Sequence, residues 1–243
     1  MNIGVKTDIG IIRDNNQDSY YVFSSEDYPL FIIADGMGGH KAGEIASKMA
    51  IEIISNNLKN YLINSSVENK EIEDGIRKSI DEANKEIYKK SKEDEKYSGM
   101  GTTVTLAYVI NDRIFIGHVG DSRAYLLRNG VLSQLTQDHS LVEELIRNGS
   151  ISKEEAKHHP QRNIITRAVG TSGDIKADVI LEKKHKDDIL LLCTDGLTNM
   201  VDEIQIRDSL IMNEDIQKAC EDLVKLSNDR GGFDNITVIA AKF

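Results

Sequence analysis

Apolar positions along the 243-residue chain repeat with two different periods. In residues 43–62, Ile45, Ala46, Met49, Ala50, Ile53, Ile54 and Leu58 recur at steps of three and four; in residues 68–90, Ile72, Ile76, Ile80, Ala83 and Ile87 do the same. This spacing predicts two long helices, each with one apolar and one charged face. A third helix is expected at about residues 213–227, with Ile216, Ala219, Cys220, Leu223 and Val224 inward. Elsewhere the apolar residues form short branched runs that read as strands: PLFIIA, TTVTLAYVI, RIFIGHV, AYLLR, VLSQL, DILLLC and NITVIAA. Asn111-Asp112 and Asn129-Gly130 separate successive runs and suit tight two-residue turns, so those strands are antiparallel. Antiparallel strands alternating with long helices predict an α/β (α+β) arrangement with helices packed outside the sheet. Residues 138–166 are polar and weakly periodic, and read as an inserted surface subdomain. One domain over residues 1–243 accommodates all of this, with a flap at about 141–162.

Composition narrows the class. The chain is 40% hydrophobic but only 5% aromatic, with no Trp, so its core is expected from Ile, Leu, Val and Ala. A net charge of -10 argues against a nucleic-acid partner. Cys193 and Cys220 each lie in an apolar run without a CxxC neighbour, and read as buried free thiols in a reducing compartment. The first residues, MNIGVKTDIG, do not read as a secretory leader, and no run approaches the ~18 apolar residues of a membrane helix. A cytoplasmic protein without membrane insertion is expected.

Aspartates punctuate the apolar runs. Asp35 follows FIIA, Asp121 follows IFIGHVG, Asp195 follows ILLLCT, and Asp234 precedes NITVIAA. Between antiparallel neighbours, the exit of one strand and the entrance of the next share one end of a sheet, so the four carboxylates can converge. Each has a glycine nearby, and Asp-Gly alone is ordinary turn chemistry. Four together at strand ends point instead to hard divalent cations, which take oxygen ligands and relieve carboxylate repulsion. Glycines Gly36, Gly38 and Gly39 would leave room for a cation at the Gly36 carbonyl.

Eight segments in order carry a resemblance to a known family: RDNNQD from Arg13, DGMGGH from Asp35, GTT from Gly101, GDSRAY from Gly120, DHS from Asp138, ITRAVG from Ile165, TDGL from Thr194 and DNITV from Asp234. The chain resembles the metal-dependent protein phosphatases, the type 2C Ser/Thr phosphatases, and within them the compact bacterial members. The resemblance implies a four-layer sandwich: two antiparallel β-sheets flanked by pairs of antiparallel helices. It implies that Asp35 bridges two Mn²⁺ or Mg²⁺ ions, that the Gly36 carbonyl joins one, and that Asp195 and Asp234 hold the other. Asp121 and Asp195 would hold a third, weaker ion, and Asp18 would act through water. Arg13 would grip phosphate with its guanidinium fork. Many relatives carry histidine two places after the bridging aspartate, where this chain has Met37; His40 is the candidate general acid, with a water as the alternative. Gln17 stands where relatives often carry Glu. His118, His139, Arg123 and Arg167 are expected in structural roles.

The implied reaction is hydrolysis of phosphoserine and phosphothreonine in proteins by metal-activated water. A monomer that opposes a membrane Ser/Thr kinase and acts on its substrates is implied as well, with substrate choice residing in the flap. Rival phosphatase chemistries lack their residues. Cysteine phosphatases need Arg six places after the Cys, where this chain has Asn199 and Leu226; there is no DxD nucleophile motif, and Lys41 breaks GxGxxG. Two alternatives stand: an inactive phosphoprotein-binding module, and a partner-switch phosphatase acting on an anti-sigma-factor antagonist.

Overall fold

The apolar runs are buried on both faces, which is why they lack the alternation of half-exposed strands. The computed structural model describes residues 1–25, 28–39, 42–64 and 68–243, with the backbone alone for 60–64. One sheet holds, in order, β1 (Asn2–Asp8), β11 (Ile236–Lys242), β10 (Ile189–Cys193), β7 (Arg123–Arg128) and β8 (Val131–Gln134). The other holds β2 (Asp18–Phe23), β3 (Leu30–Met37), β5 (Val104–Ile110), β6 (Arg113–Val119) and β9 (Asp178–Lys183), with the short β4 (Gly101–Thr102) paired to β3. All of these pairings are antiparallel.

Successive side chains of a strand serve different layers. Phe31, Ile33, Ala107, Ile114, Ile116, Leu190, Leu192 and Ile239 fill the space between the sheets. Leu30, Ile32, Leu106 and Phe115 face the other way, onto α1 (Ala42–Asn64) and α2 (Asn69–Glu93). Leu191, Cys193, Val238 and Ala240 likewise face α6 (Glu203–Met212) and α7 (Ile216–Asp229). The result is helix, sheet, sheet, helix, the layering that the family resemblance implies. Both cysteines are free and buried.

α1 runs slightly beyond the expected 43–62 at both ends, and α2 starts one residue after the expected 68 and ends three after the expected 90. The third is α7, which starts at Ile216 behind an Asp215 cap that accepts from the Gln217 amide; α6, just before it, was not expected from the pattern. Three strands escaped the apolar-run reading. β1, β2 and β9 lie at sheet edges and carry mostly half-buried residues, so their patterns are diluted. At the Asn129-Gly130 turn both residues take positive φ (51° and 78°), whereas at Asn111-Asp112 only Asn111 does (54°). Residues 138–166 contain α3 (Leu141–Arg147), capped by Ser140, and α4 (Lys153–Lys157), closed by a Ser152/Glu155 capping box. An isolated bridge between Ser140 and Ile165 ties the ends of this excursion together.

Candidate metal centre

Antiparallel pairing brings the acids to one end of the sandwich. Asp18, first in β2, is the direct cross-strand partner of Asp35 in β3. Asp35 thus lies inside its strand, which runs on to Met37, and not just beyond it. Asp121 sits in the turn between β6 and β7, Asp195 opens the short helix α5 (Asp195–Thr198), and Asp234 precedes β11. The wide cleft lined by Tyr28, Val109, Lys184 and Phe243 lies at the opposite end of the strands and holds none of these acids.

Asp18 is buried and held from the other sheet: the hydroxyls of Thr194 and Thr237 donate to its Oδ2 at 2.9 and 2.7 Å. Its Oδ1 is buried without a partner, and so are Oδ1 of Asp121 and Oδ1 of Asp195. Burial pushes the Asp18 carboxyl up to about 7; the two threonines oppose this, and the charges of Asp195 and Asp234 add to it. Burial also pushes Asp195 up to about 6, reinforced by the Asp234 charge and opposed by its contact with Asp35 and by the bond that the Asn199 amide donates to it. Asp35 and Asp121 are raised well above the usual carboxylate range, first by burial and then by neighbouring aspartates.

Buried polar atoms are ordinarily paired, and a missing partner calls for an explanation. Three orphaned carboxylate oxygens in one mutually repelling cluster fit divalent cations that take oxygen ligands. Among the described residues, no three His, Cys, Asp or Glu side chains close into a ready cage. Arg13 brings a cation to this end: its Nη2 donates to Asp234 Oδ2 at 2.6 Å, with the Arg13 side chain 50% exposed.

The glycine after Asp35 meets a packing constraint that the sequence did not show. A Cβ on Gly36 would stand 2.1 Å from the Gly43 carbonyl oxygen and 2.6 Å from that of Gln17. Gly36 is needed because the start of α1 packs directly on β3, whatever its carbonyl binds. Gly196 obeys the same rule, with the Asn235 carbonyl 2.0 Å from where its Cβ would be. This contact packs α5, which carries Asp195, against the segment that carries Asp234.

Other sequence candidates separate clearly. Arg123 makes bidentate bonds to Asp138 (Nε to Oδ1 2.9 Å, Nη2 to Oδ2 2.6 Å). His118 is buried, with Thr105 on Nδ1 and the Gln137 carbonyl on Nε2. His139 Nδ1 accepts from the Gly120 amide at 3.1 Å, which ties residues 138–140 to the Asp121 turn. His40 lies outside the described residues. Pattern reading missed Thr194, Thr237, Asn199 and Asn235. Thr194, Thr237 and Asn235 lie inside segments of the family resemblance, and for the two threonines a hydroxyl at the end of an apolar run was the available signal.

The protein phosphatase 2C family matches the chain over residues 13–237. A serine/threonine phosphatase stp of Listeria monocytogenes is 44% identical over 240 residues, spanning 98% of this chain and 94% of that protein. The structure of the S. agalactiae serine/threonine phosphatase aligns with a TM-score of 0.90 at 40% identity, covering 98% of each chain. The catalytic domain of the serine threonine protein phosphatase PstP, solved in complex with two manganese ions, aligns with a TM-score of 0.84 at 30% identity over 99% of this chain and 97% of that one. With its carboxylates gathered at one end of the strands, its layered sheets and a match along nearly its whole length, the chain belongs to the protein phosphatase 2C family.

Proposed function

We propose that this phosphatase hydrolyses phosphoserine and phosphothreonine in proteins at a two-ion Mn²⁺ or Mg²⁺ centre, acting in the cytoplasm against a Ser/Thr kinase and that kinase's substrates. The observation that carries the reading is the trio of buried, unpartnered carboxylate oxygens on Asp18, Asp121 and Asp195. Asp35, the Gly36 carbonyl, Asp195 and Asp234 would hold the two ions, with Asp121 and Asp195 serving a weaker third. When bound, such ions bring the pKa of water toward neutrality and offset the negative charge of a phosphoryl group.

The chain's own groups do the rest. The exposed Arg13 fork turns from Asp234 to phosphate oxygens, positioning the ester and supplying charge-assisted hydrogen bonds. Asp18, fixed by Thr194 and Thr237, keeps one oxygen free to orient water. In-line displacement forms a bond from the water oxygen to phosphorus and breaks the bond to the serine or threonine oxygen. That oxygen takes a proton from His40 or from water.

The test is phosphate release from a phosphothreonine peptide in Mn²⁺, in Mg²⁺ and in EDTA, with wild type and Asp234→Asn. Metal-dependent release that EDTA removes and the variant lowers by about 10³-fold or more is expected. No release from folded protein under any metal would overturn the reading in favour of a phosphoprotein-binding module.

A further inference from the structure

Apolar side chains stand in solvent on either side of Arg13. Ile11 and Ile12 are 65% and 61% exposed, and Phe233 is 59% exposed. Single exposed apolar residues are ordinary; a cluster rimmed by polar groups is not. Here the backbone makes the cluster. The amides of Ile11 and Ile12 both donate to the Gly232 carbonyl, at 2.8 and 3.3 Å. Arg13 Nε donates to the Phe233 carbonyl at 3.3 Å, and Asn235 Nδ2 donates to the carbonyls of Ile9 and Asn15. A Cβ on Gly232 would meet Ile11 Cγ1 at 2.8 Å, so the two loops touch closely. Main-chain and asparagine bonds hold the loops together, and the three large side chains are left facing out.

Their place in the chain decides what meets them. Ile12 directly precedes Arg13, and Phe233 directly precedes Asp234. The Arg13 Nε bond to the Phe233 carbonyl and the Ile11 and Ile12 bonds to Gly232 bring both loops to the base of the Arg13 side chain, so a segment that engages the Arg13 fork passes beside them. We propose that Ile11, Ile12 and Phe233 form an apolar lip that receives a large aliphatic or aromatic side chain flanking the phosphorylated serine or threonine. The occupant is thus a phosphoprotein segment with an apolar neighbour to the phosphoresidue. An acidic neighbour is disfavoured, because it gains nothing from the lip and is repelled by a chain of net charge -10. This inference rests on the phosphatase reading above and names the substrate class of that site.

The experiment compares two phosphothreonine peptides in Mn²⁺, identical except that leucines flank the phosphothreonine in one and serines in the other. Wild type is expected to show about tenfold higher kcat/KM on the leucine peptide, mostly through KM. The double variant Ile11→Ser/Ile12→Ser is expected to lose that preference while still hydrolysing the serine peptide, and Phe233→Ser to halve it or more. Equal rates of wild type on the two peptides, or an undiminished preference in both variants, would overturn the lip and leave the phosphatase reading intact. Hydrolysis of neither peptide would overturn both. A dimer of the wild type in sedimentation that the double variant dissolves would assign these side chains to a second copy of the chain and overturn the proposal.

Discussion

Asp188 and Asp18 are both buried carboxylates at strand ends, 2% and 8% exposed, and the fold treats them in opposite ways. Asp188 has both oxygens bonded: Arg128 donates from Nε at 3.0 Å and from Nη2 at 2.8 Å, and the His185 amide adds a bond at 2.8 Å. Burial works to raise its carboxyl, yet Arg128 and the His185 amide hold it below its ordinary value. Asp18 receives two neutral hydroxyls on one oxygen and nothing on the other, and burial pushes it up to about 7. A buried carboxylate with an arginine is complete within the chain. A buried carboxylate facing other carboxylates is complete only with a cation from outside. The difference separates an acid completed within the chain from one that the proposed metal centre would complete.

The comparison can be broken most forcefully at Asp188. Asp188→Asn leaves Arg128 facing a neutral amide and is expected to cost about 3 kcal/mol of stability, read by urea denaturation. Its metal-dependent activity per folded molecule should stay near wild type; a lost metal requirement would dissolve the distinction between the two ends of the sandwich.

Arg13 is the sharper case, because its pair with Asp234 is exposed where that of Arg128 is buried. Exposed pairs contribute little to stability. Arg13→Ala should therefore leave the denaturation midpoint nearly unchanged and lower kcat/KM by about 10–100-fold, as expected for loss of a charged phosphate contact. A large loss of stability would mean that the pair is structural.

The smallest effect is the most telling. The Asp18 carboxyl is raised in the folded state, so without metal its contribution is favourable at low pH and is lost as pH rises through about 7. Asp18→Asn removes that charge. Metal-free variant should melt about 2–4 °C above wild type at pH 8, and at the same temperature near pH 4.5, by calorimetry. Mn²⁺ should narrow or reverse the gap at pH 8. A variant less stable than wild type at pH 8 without metal would mean that Asp18 is already satisfied by its threonines.

Much of the fold was legible because each central strand is buried on both faces and each long helix on one. FIIA, TLAYV and ILLLC announce themselves without any partner, and Ile72, Ile76, Ile80 and Ile87 mark the inner face of α2. The edge strands β1, β2 and β9 were not legible, because a half-buried edge mixes polar and apolar residues in no fixed order. At the site, Asp35, Asp121, Asp195 and Asp234 stood out as acids bounding apolar runs. At Gly36 the sequence did not show one constraint: its missing side chain also answers to Gly43 and Gln17, a contact that local spacing does not encode.

By itself the sequence determined the central strands and long helices, through hydrophobic periodicity, and placed acids beside apolar runs, since both are properties of neighbours along the chain; the layering came from the family resemblance. Only tertiary structure decided which of those acids would be partnered. It set Asp18 across from Asp35, brought Thr194 and Thr237 from the second sheet onto Asp18, and laid Arg13 against Asp234, 221 positions away. A carboxylate's charge state depends on what surrounds it in space, and the same aspartate in the same local sequence is a turn residue or a cation ligand according to what the far end of the chain brings to it.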